Sequence, residues 1–324
     1  MRLGVIGAGA WGTALAQVAA EGGDPVWLWA READVVSSIN TRHENQLFLA
    51  GIPLSPAICA TSDFDALADC EALLIVTPAQ HMRAVLGAAN VGNRAIILCA
   101  KGIEAGTQLL MSEVAHQVCP DAKIAVLSGP TFASEVAQRL PTAITLASAD
   151  APLAKTLAAR LAQPHFRPYV SSDVIGAEIG GAVKNVLAIA CGVVDGRGLG
   201  QNARAALIAR GFAEMTRFGL ARGALAETLG GLSGLGDLVL TCSSTQSRNF
   251  TLGKGLGEGR AAADLLSGRT VAEGAFTAPV LQLAARAAGV EMPVVDAVCA
   301  LLDGATDVTT AVGALLARPL KREG

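Results

Sequence analysis

The chain has 324 residues, 52% of them hydrophobic and 16% charged, and its formal net charge is −3. That length suits two domains with sizeable cores, and the near-balanced charge without a basic stripe argues against nucleic acid as a partner. The 7 cysteines are scattered without a C-x-x-C pair and the 4 histidines stand alone, which reads as reduced thiols and no metal site.

Residues 3–6 are a short apolar run suited to a buried strand. Gly7, Gly9 and Gly12 follow as G-x-G-x-x-G, residues 13–21 read as an alanine-rich helix, and residues 26–30 as a second apolar strand. Strand, glycine loop, helix and strand within about 30 residues are the setting in which this glycine pattern binds a dinucleotide. Gly7 permits the tight turn off the strand, Gly9 lets backbone approach a pyrophosphate, and Gly12 lets helix pack on strand. Free N–H groups and the helix dipole then hold the phosphates. One Arg before an apolar run also resembles a secretory leader, but the glycines break its apolar segment and a strand follows at once. Apolar runs elsewhere are interrupted by glycine and fall short of a bilayer span, so a cytoplasmic protein without an integral membrane segment is expected.

The end of the second strand bears on which dinucleotide binds. An acidic residue there grips the ribose 2′-hydroxyl of NAD, whereas an arginine accommodates the 2′-phosphate of NADP. Arg31 comes first after the strand and Glu32 one position later. NADP(H) is therefore expected over NAD(H); the plain alternative is an arginine that opens a surface helix.

A polar helix then runs to about residue 41, residues 45–56 form a loop, 57–60 a short strand and 63–68 a brief helix. Residues 72–76 are a buried strand ended by Thr77-Pro78, with a helix near 80–89. Residues 95–99 are the next strand, leading to Ala100-Lys101-Gly102. A helix over 107–118 and a strand over 123–127 lead to Ser128-Gly129-Pro130-Thr131-Phe132-Ala133. Strands at 142–147 and 166–170 flank a helix over 151–162. This alternation predicts a doubly wound, mostly parallel sheet. Its ligands would sit beyond the carboxyl ends of the strands, where Lys101 stands beside a glycine. Gly129 and Thr131 offer an N–H and a hydroxyl to a small polar ligand, or form only a turn and a helix cap. From residue 171 onward strand signals vanish and helices alternate with glycine-rich turns. The chain thus divides into a nucleotide-binding domain, 1–172, and an all-helical domain, 173–324.

In the helical half, residues 179–191 carry a single cation, Lys184, with no carboxylate at i±3 or i±4. Such a lysine either snorkels to the surface or is desolvated and functional. Burial lowers its pKa towards the range in which it can protonate a carbonyl being reduced. Gly180, Gly181 and Ala188, one turn away, would leave room for a substrate at its tip. Further on, Asp237 lies in a glycine-flanked stretch, placed to orient a lysine or accept a substrate hydroxyl. Ser247 is suited to cap a helix beginning with Arg248 and Asn249, a planar guanidinium with orphan N–H groups that makes a phosphate site.

The Gly-Ala-Gly-Ala-Trp-Gly opening, Leu98 to Gly102, Ser128 to Ala133, Val183-Lys184-Asn185, Gly236-Asp237-Leu238 with Ser247-Arg248-Asn249, and Val271-Ala272-Glu273-Gly274 come in a familiar order. Together they closely resemble the NAD(P)-dependent glycerol-3-phosphate dehydrogenases of the bacterial type, over almost the whole chain. The resemblance implies an α/β Rossmann domain followed by an all-α domain of the 6-phosphogluconate dehydrogenase type. It implies reversible reduction of dihydroxyacetone phosphate to sn-glycerol 3-phosphate for phospholipid synthesis and, since members are often dimers, a homodimer; Arg31 adds NADP as the preferred cofactor with NAD as alternative, and the isolated histidines leave no metal expected. By carry-over Lys184 is the proton donor and acceptor. Lys101, Gly129, Thr131, Lys184, Asp237, Ser247, Arg248 and Asn249 match substrate-contacting positions. Gly7, Gly9, Ala10, Trp11, Gly12, Arg31, Lys101, Ala133, Arg248, Val271 and Glu273 match cofactor-contacting ones, and Asn185 and Thr241 supporting ones. Two departures bear on cofactor affinity rather than reaction type. Ala10 stands where the family usually has serine, and Thr131 keeps a hydroxyl where the family has Gly-Pro-Ser.

Overall fold

The structure, a computed structural model, describes residues 1–267 and 272–317. Its first half alternates β1 (Leu3–Ile6), α1 (Ala10–Ala20), β2 (Val26–Trp29), α2 (Ala33–Arg42), β3 (Ile58–Thr61), β4 (Ala72–Ile75), α3 (Met82–Ala88), β5 (Ala95–Leu98), α4 (Met111–Val118), β6 (Lys123–Ser128), α5 (Ala133–Ala137), β7 (Thr142–Ala147), α6 (Ala151–Leu161) and β8 (Phe166–Ser171). The strands form one 8-stranded sheet in the order β3-β2-β1-β4-β5-β6-β7-β8. Every neighbouring pair is parallel except β6 and β7. β1, β4 and β5 are buried along their whole length, as strands covered on both faces must be. The chain crosses from one side of β1 to the other between β3 and β4, and this reversal opens the crevice in which such sheets take their ligands.

Two local differences from the sequence reading have physical causes. The helix expected over 107–118 starts only at Met111, because Ile103 and Leu110 bridge and Gln108 adopts a left-handed φ of 61°. The alanine-rich helix starts at Ala10 rather than 13, so the glycine motif itself forms its first turn.

The second half is helical among the described residues: α7 (Val174–Gly196), α8 (Gly200–Ala221), α9 (Ala226–Leu229), a π-helical turn (Leu232–Gly236), α10 (Asp237–Thr241), α11 (Arg248–Gly257), α12 (Ala262–Leu266), α13 (Glu273–Ala287), α14 (Pro293–Leu302) and α15 (Val308–Leu316). α7 corrects the expectation that no apolar run reaches a bilayer's span. Its 23 residues are long and apolar enough, yet 89% of its most apolar window is buried inside the protein, which makes it a core helix. Gly192 and Gly196 of α7 pack on the carbonyls of Phe250 and Lys254, while Gly253 and Gly257 of α11 pack on those of Ile189 and Val193. Backbone therefore meets backbone, and the start of α11 is fixed relative to the middle of α7. Glu178 of α7 joins the two halves by accepting the N–H and hydroxyl of Ser112 in α4, at 2.7 and 2.6 Å. Burial pushes this carboxyl up to about 7, against the pull of both bonds.

Candidate active site

The crevice above β1 has the shape expected for a diphosphate. Gly7 turns with φ 114°, and a Cβ there would lie 2.8 Å from the Val76 carbonyl oxygen. Gly12 packs on the Gly7 carbonyl, whereas a Cβ on Gly9 would meet nothing within 4 Å. Gly9 precedes Ala10 and Trp11, the first residues of α1, whose orphan N–H groups point out of the helix end. The Trp11 Nε1–H is buried without a hydrogen-bond partner. An open glycine, a helix end and an unpaired donor together fit a dinucleotide. Ala133 opens α5 and Glu273 opens α13; Val271 lies outside the described residues. Arg31 is exposed after β2, paired with Glu32.

Beyond the strand ends, three elements aim side chains at one point. Lys101, just past β5, donates to Asp237 Oδ2 at 2.7 Å and to the Gly129 carbonyl at 3.3 Å. Lys184, from the middle of α7, donates to Asp237 Oδ1 at 2.6 Å and to Thr241 Oγ1 at 2.9 Å. Asp237 opens α10, and Thr241, one turn later, also donates to its Oδ1 at 3.2 Å. Asp237 is 0% and Lys184 6% exposed. Two cations thus share one carboxylate, leaving a net positive charge in a nearly dry pocket. Burial drives the Lys184 pKa down to about 8; Asp237 opposes the fall and Lys101 adds to it. An ammonium has three donors, so each lysine keeps one N–H beyond those bonds.

At the start of α11, Ser247 Oγ accepts the Phe250 N–H at 3.2 Å, the expected cap, and Arg248 is the exposed first residue. Asn249 donates to Asn185 Oδ1 at 3.0 Å and accepts the Gly274 N–H at 2.8 Å, tying α7, α11 and α13 together. Burial raises the Glu273 pKa, against the pull of Arg248, Lys101 and Lys184, which places this carboxyl within the field of all three cations. Thr131 turns its hydroxyl onto the Gly129 carbonyl at 3.2 Å.

The space expected beside Lys184 is filled by protein. A side chain on Gly180 would strike the Ser233 carbonyl of the π-helical turn, and one on Gly181 would press on Ser128 Oγ and the Lys101 stem at 3.0 and 3.2 Å. These glycines seat the partners of Lys184 rather than a substrate. Gly180→Ala is expected to push the π-helical turn and Asp237 away, lowering kcat at least about tenfold with little change in cofactor affinity. Stopped-flow turnover and a fluorescence titration of the nucleotide measure both.

Thr77 and Ser128, which the sequence places at strand ends on the ligand edge without giving either a role, carry buried hydroxyls that make no hydrogen bond in the protein; Ser128 ends β6 and Thr77 lies two residues past β4. Their signal was a hydroxyl residue ending a buried strand at the ligand edge. No group of three or more side chains able to hold a metal occurs among the described residues.

What the fold and site define together is a class: oxidoreductases that carry a dinucleotide on a doubly wound sheet and their proton-handling groups on a helical partner domain. Comparison with known proteins narrows it. The family models described as NAD-dependent glycerol-3-phosphate dehydrogenase N-terminus and C-terminus match residues 2–154 and 173–313. Glycerol-3-phosphate dehydrogenase (NAD(P)+) 1 of Sphingopyxis alaskensis is 62% identical over 322 residues, covering 99% of this chain and 98% of that one. Its counterpart in Erythrobacter litoralis is 61% identical over 322 residues, with 99% and 97% covered. The crystal structure of glycerol-3-phosphate dehydrogenase (gpsA) from Coxiella burnetii superposes with a TM-score of 0.94 at 39% identity, covering 98% of this chain and 99% of that one. The chain belongs to the NAD-dependent glycerol-3-phosphate dehydrogenase family.

Proposed function

We propose that this protein reduces dihydroxyacetone phosphate reversibly to sn-glycerol 3-phosphate, with residues 1–172 holding NADP(H) in preference to NAD(H) and residues 173–324 supplying the catalytic lysine. The observation that carries the reading is the Lys184–Asp237–Lys101 cluster at the carboxyl edge of the sheet. Bound dihydronicotinamide supplies the hydride. Lys184 protonates the C2 oxygen as negative charge develops there, and in the reverse direction its neutral amine takes the proton back. Lys101 steadies the same oxygen with its charge. Asp237 holds both ammonium groups in place while Thr241 fixes the orientation of Lys184. Ser247, Arg248 and Asn249 receive the substrate phosphate at the N-terminus of α11, with Gly129 and Thr131 completing the cradle. Asn185 acts by holding Asn249.

NADPH and NADH oxidation measured with dihydroxyacetone phosphate, against a 2-keto acid of similar size, tests the substrate. Turnover of the keto acid alone would sink the phosphate assignment. Arg31→Ala is expected to weaken NADPH about tenfold or more with NADH little affected, since a charge-assisted contact to phosphate is lost. Kd values for both nucleotides check it, and equal losses count against the 2′-phosphate placement. The family resemblance supports a homodimer in the cytoplasm, open to sedimentation and cell fractionation.

A further inference from the structure

We propose that Glu32 sets the cofactor preference of this chain, by competing with the 2′-phosphate of NADP(H) for Arg31 and offering its own carboxylate to the 2′-hydroxyl of NAD(H). The inference rests on the reading that the adenosine ribose lies beyond β2. Arg31 donates from Nε and Nη2 to a single oxygen of Glu32, Oε1, at 3.0 and 2.7 Å. The two ends of this pair differ in exposure, the Arg31 side chain at 79% and that of Glu32 at 32%. Glu32 also occupies the N-cap of α2, in extended backbone, yet its side chain makes no capping bond. The carboxylate is thus held against the guanidinium that the 2′-phosphate requires, three residues beyond β2, the strand whose end faces the ribose.

The two cofactors meet this pair differently. A 2′-phosphate must detach Arg31 from Glu32 and then bear the repulsion of a carboxylate left close by. A 2′-hydroxyl can donate to Glu32 without disturbing the pair, because Oε2 takes no bond from Arg31. Glu32 therefore penalises NADP(H) and rewards NAD(H), drawing the two affinities together.

The test compares kcat/KM and Kd for NADPH and NADH in the full chain, in Glu32→Gln, Glu32→Ala and Arg31→Ala, at low and high salt. Glu32→Gln is expected to improve NADPH about threefold to fivefold, as an exposed ion pair of this kind allows. The gain shrinks as salt screens the repulsion. Glu32→Ala keeps that gain and in addition weakens NADH about tenfold, since the ribose loses a charged acceptor. If Arg31→Ala weakens both nucleotides equally, the placement of the 2′-phosphate falls and this proposal with it. If Arg31→Ala is selective while neither Glu32 variant changes the NADPH-to-NADH ratio, the role of Glu32 alone is overturned. Both side chains lie at the surface, and thermal melting of each variant shows that it folds.

Discussion

Lys184→Ala is expected to lower kcat in both directions by about three to four orders of magnitude, while NADPH binds with its affinity almost unchanged. Two losses add in that variant. The general acid disappears, and so does a positive charge placed at the oxygen where negative charge grows. Both act mainly in the transition state, so the loss falls on kcat rather than on nucleotide binding. A decrease in kcat of less than about tenfold would remove Lys184 from the chemistry.

The same lysine is expected to set how the intact enzyme responds to pH. Its pKa lies near 8 because burial disfavours the ammonium more than Asp237 favours it. Reduction needs the ammonium, so its rate is flat below this value and falls as pH rises through it. Oxidation needs the neutral amine and shows the mirror image, rising through about 8 and levelling above. Rate profiles in both directions should therefore cross near that pH. Two profiles that rise together would contradict a single shared group.

Asp237→Asn carries the next largest effect, a loss of about a hundredfold in kcat. The carboxylate accepts from Lys101 through one oxygen and from Lys184 through the other. An amide presents an N–H₂ group to one of these cations, and two ammonium groups then face each other without a counter-charge. Removing one member of a buried ion pair costs about 3–5 kcal/mol, so a lower Tm accompanies the loss of rate. The pH profile separates this from plain unfolding. Asp237 raises the Lys184 pKa, and its removal must move the alkaline limb of the reduction profile below that of the parent. A variant that still binds NADPH but keeps the limb in place would show that Asp237 does not hold the lysine's charge.

The glycine turn was readable without coordinates because its geometry is local. A strand, a glycine loop and a helix in immediate succession leave the backbone one way to turn. Lys184 was readable for a related reason. A single cation in an apolar helical segment has either to reach water or to find a partner in the interior. The partner itself lay out of reach, since Asp237 is 53 positions away and stands 136 positions from Lys101. The antiparallel step from β6 to β7 was equally hidden, because an apolar run does not record strand direction.

Glycines show the limit most plainly. Gly180 and Gly181 read as space beside a lysine, yet they are filled by the Ser233 carbonyl, Ser128 and the Lys101 stem. Absence of a side chain is visible in a sequence; what occupies the gap depends on elements that meet only after folding. By itself the sequence determined an alternating α/β half and a helical half, a nucleotide turn and a short set of polar residues suited to chemistry. Tertiary structure decided which of them share a charge, and that choice sets the pKa of Lys184. A pKa responds to burial and to neighbours a few ångströms away, and neither is a property of position along the chain.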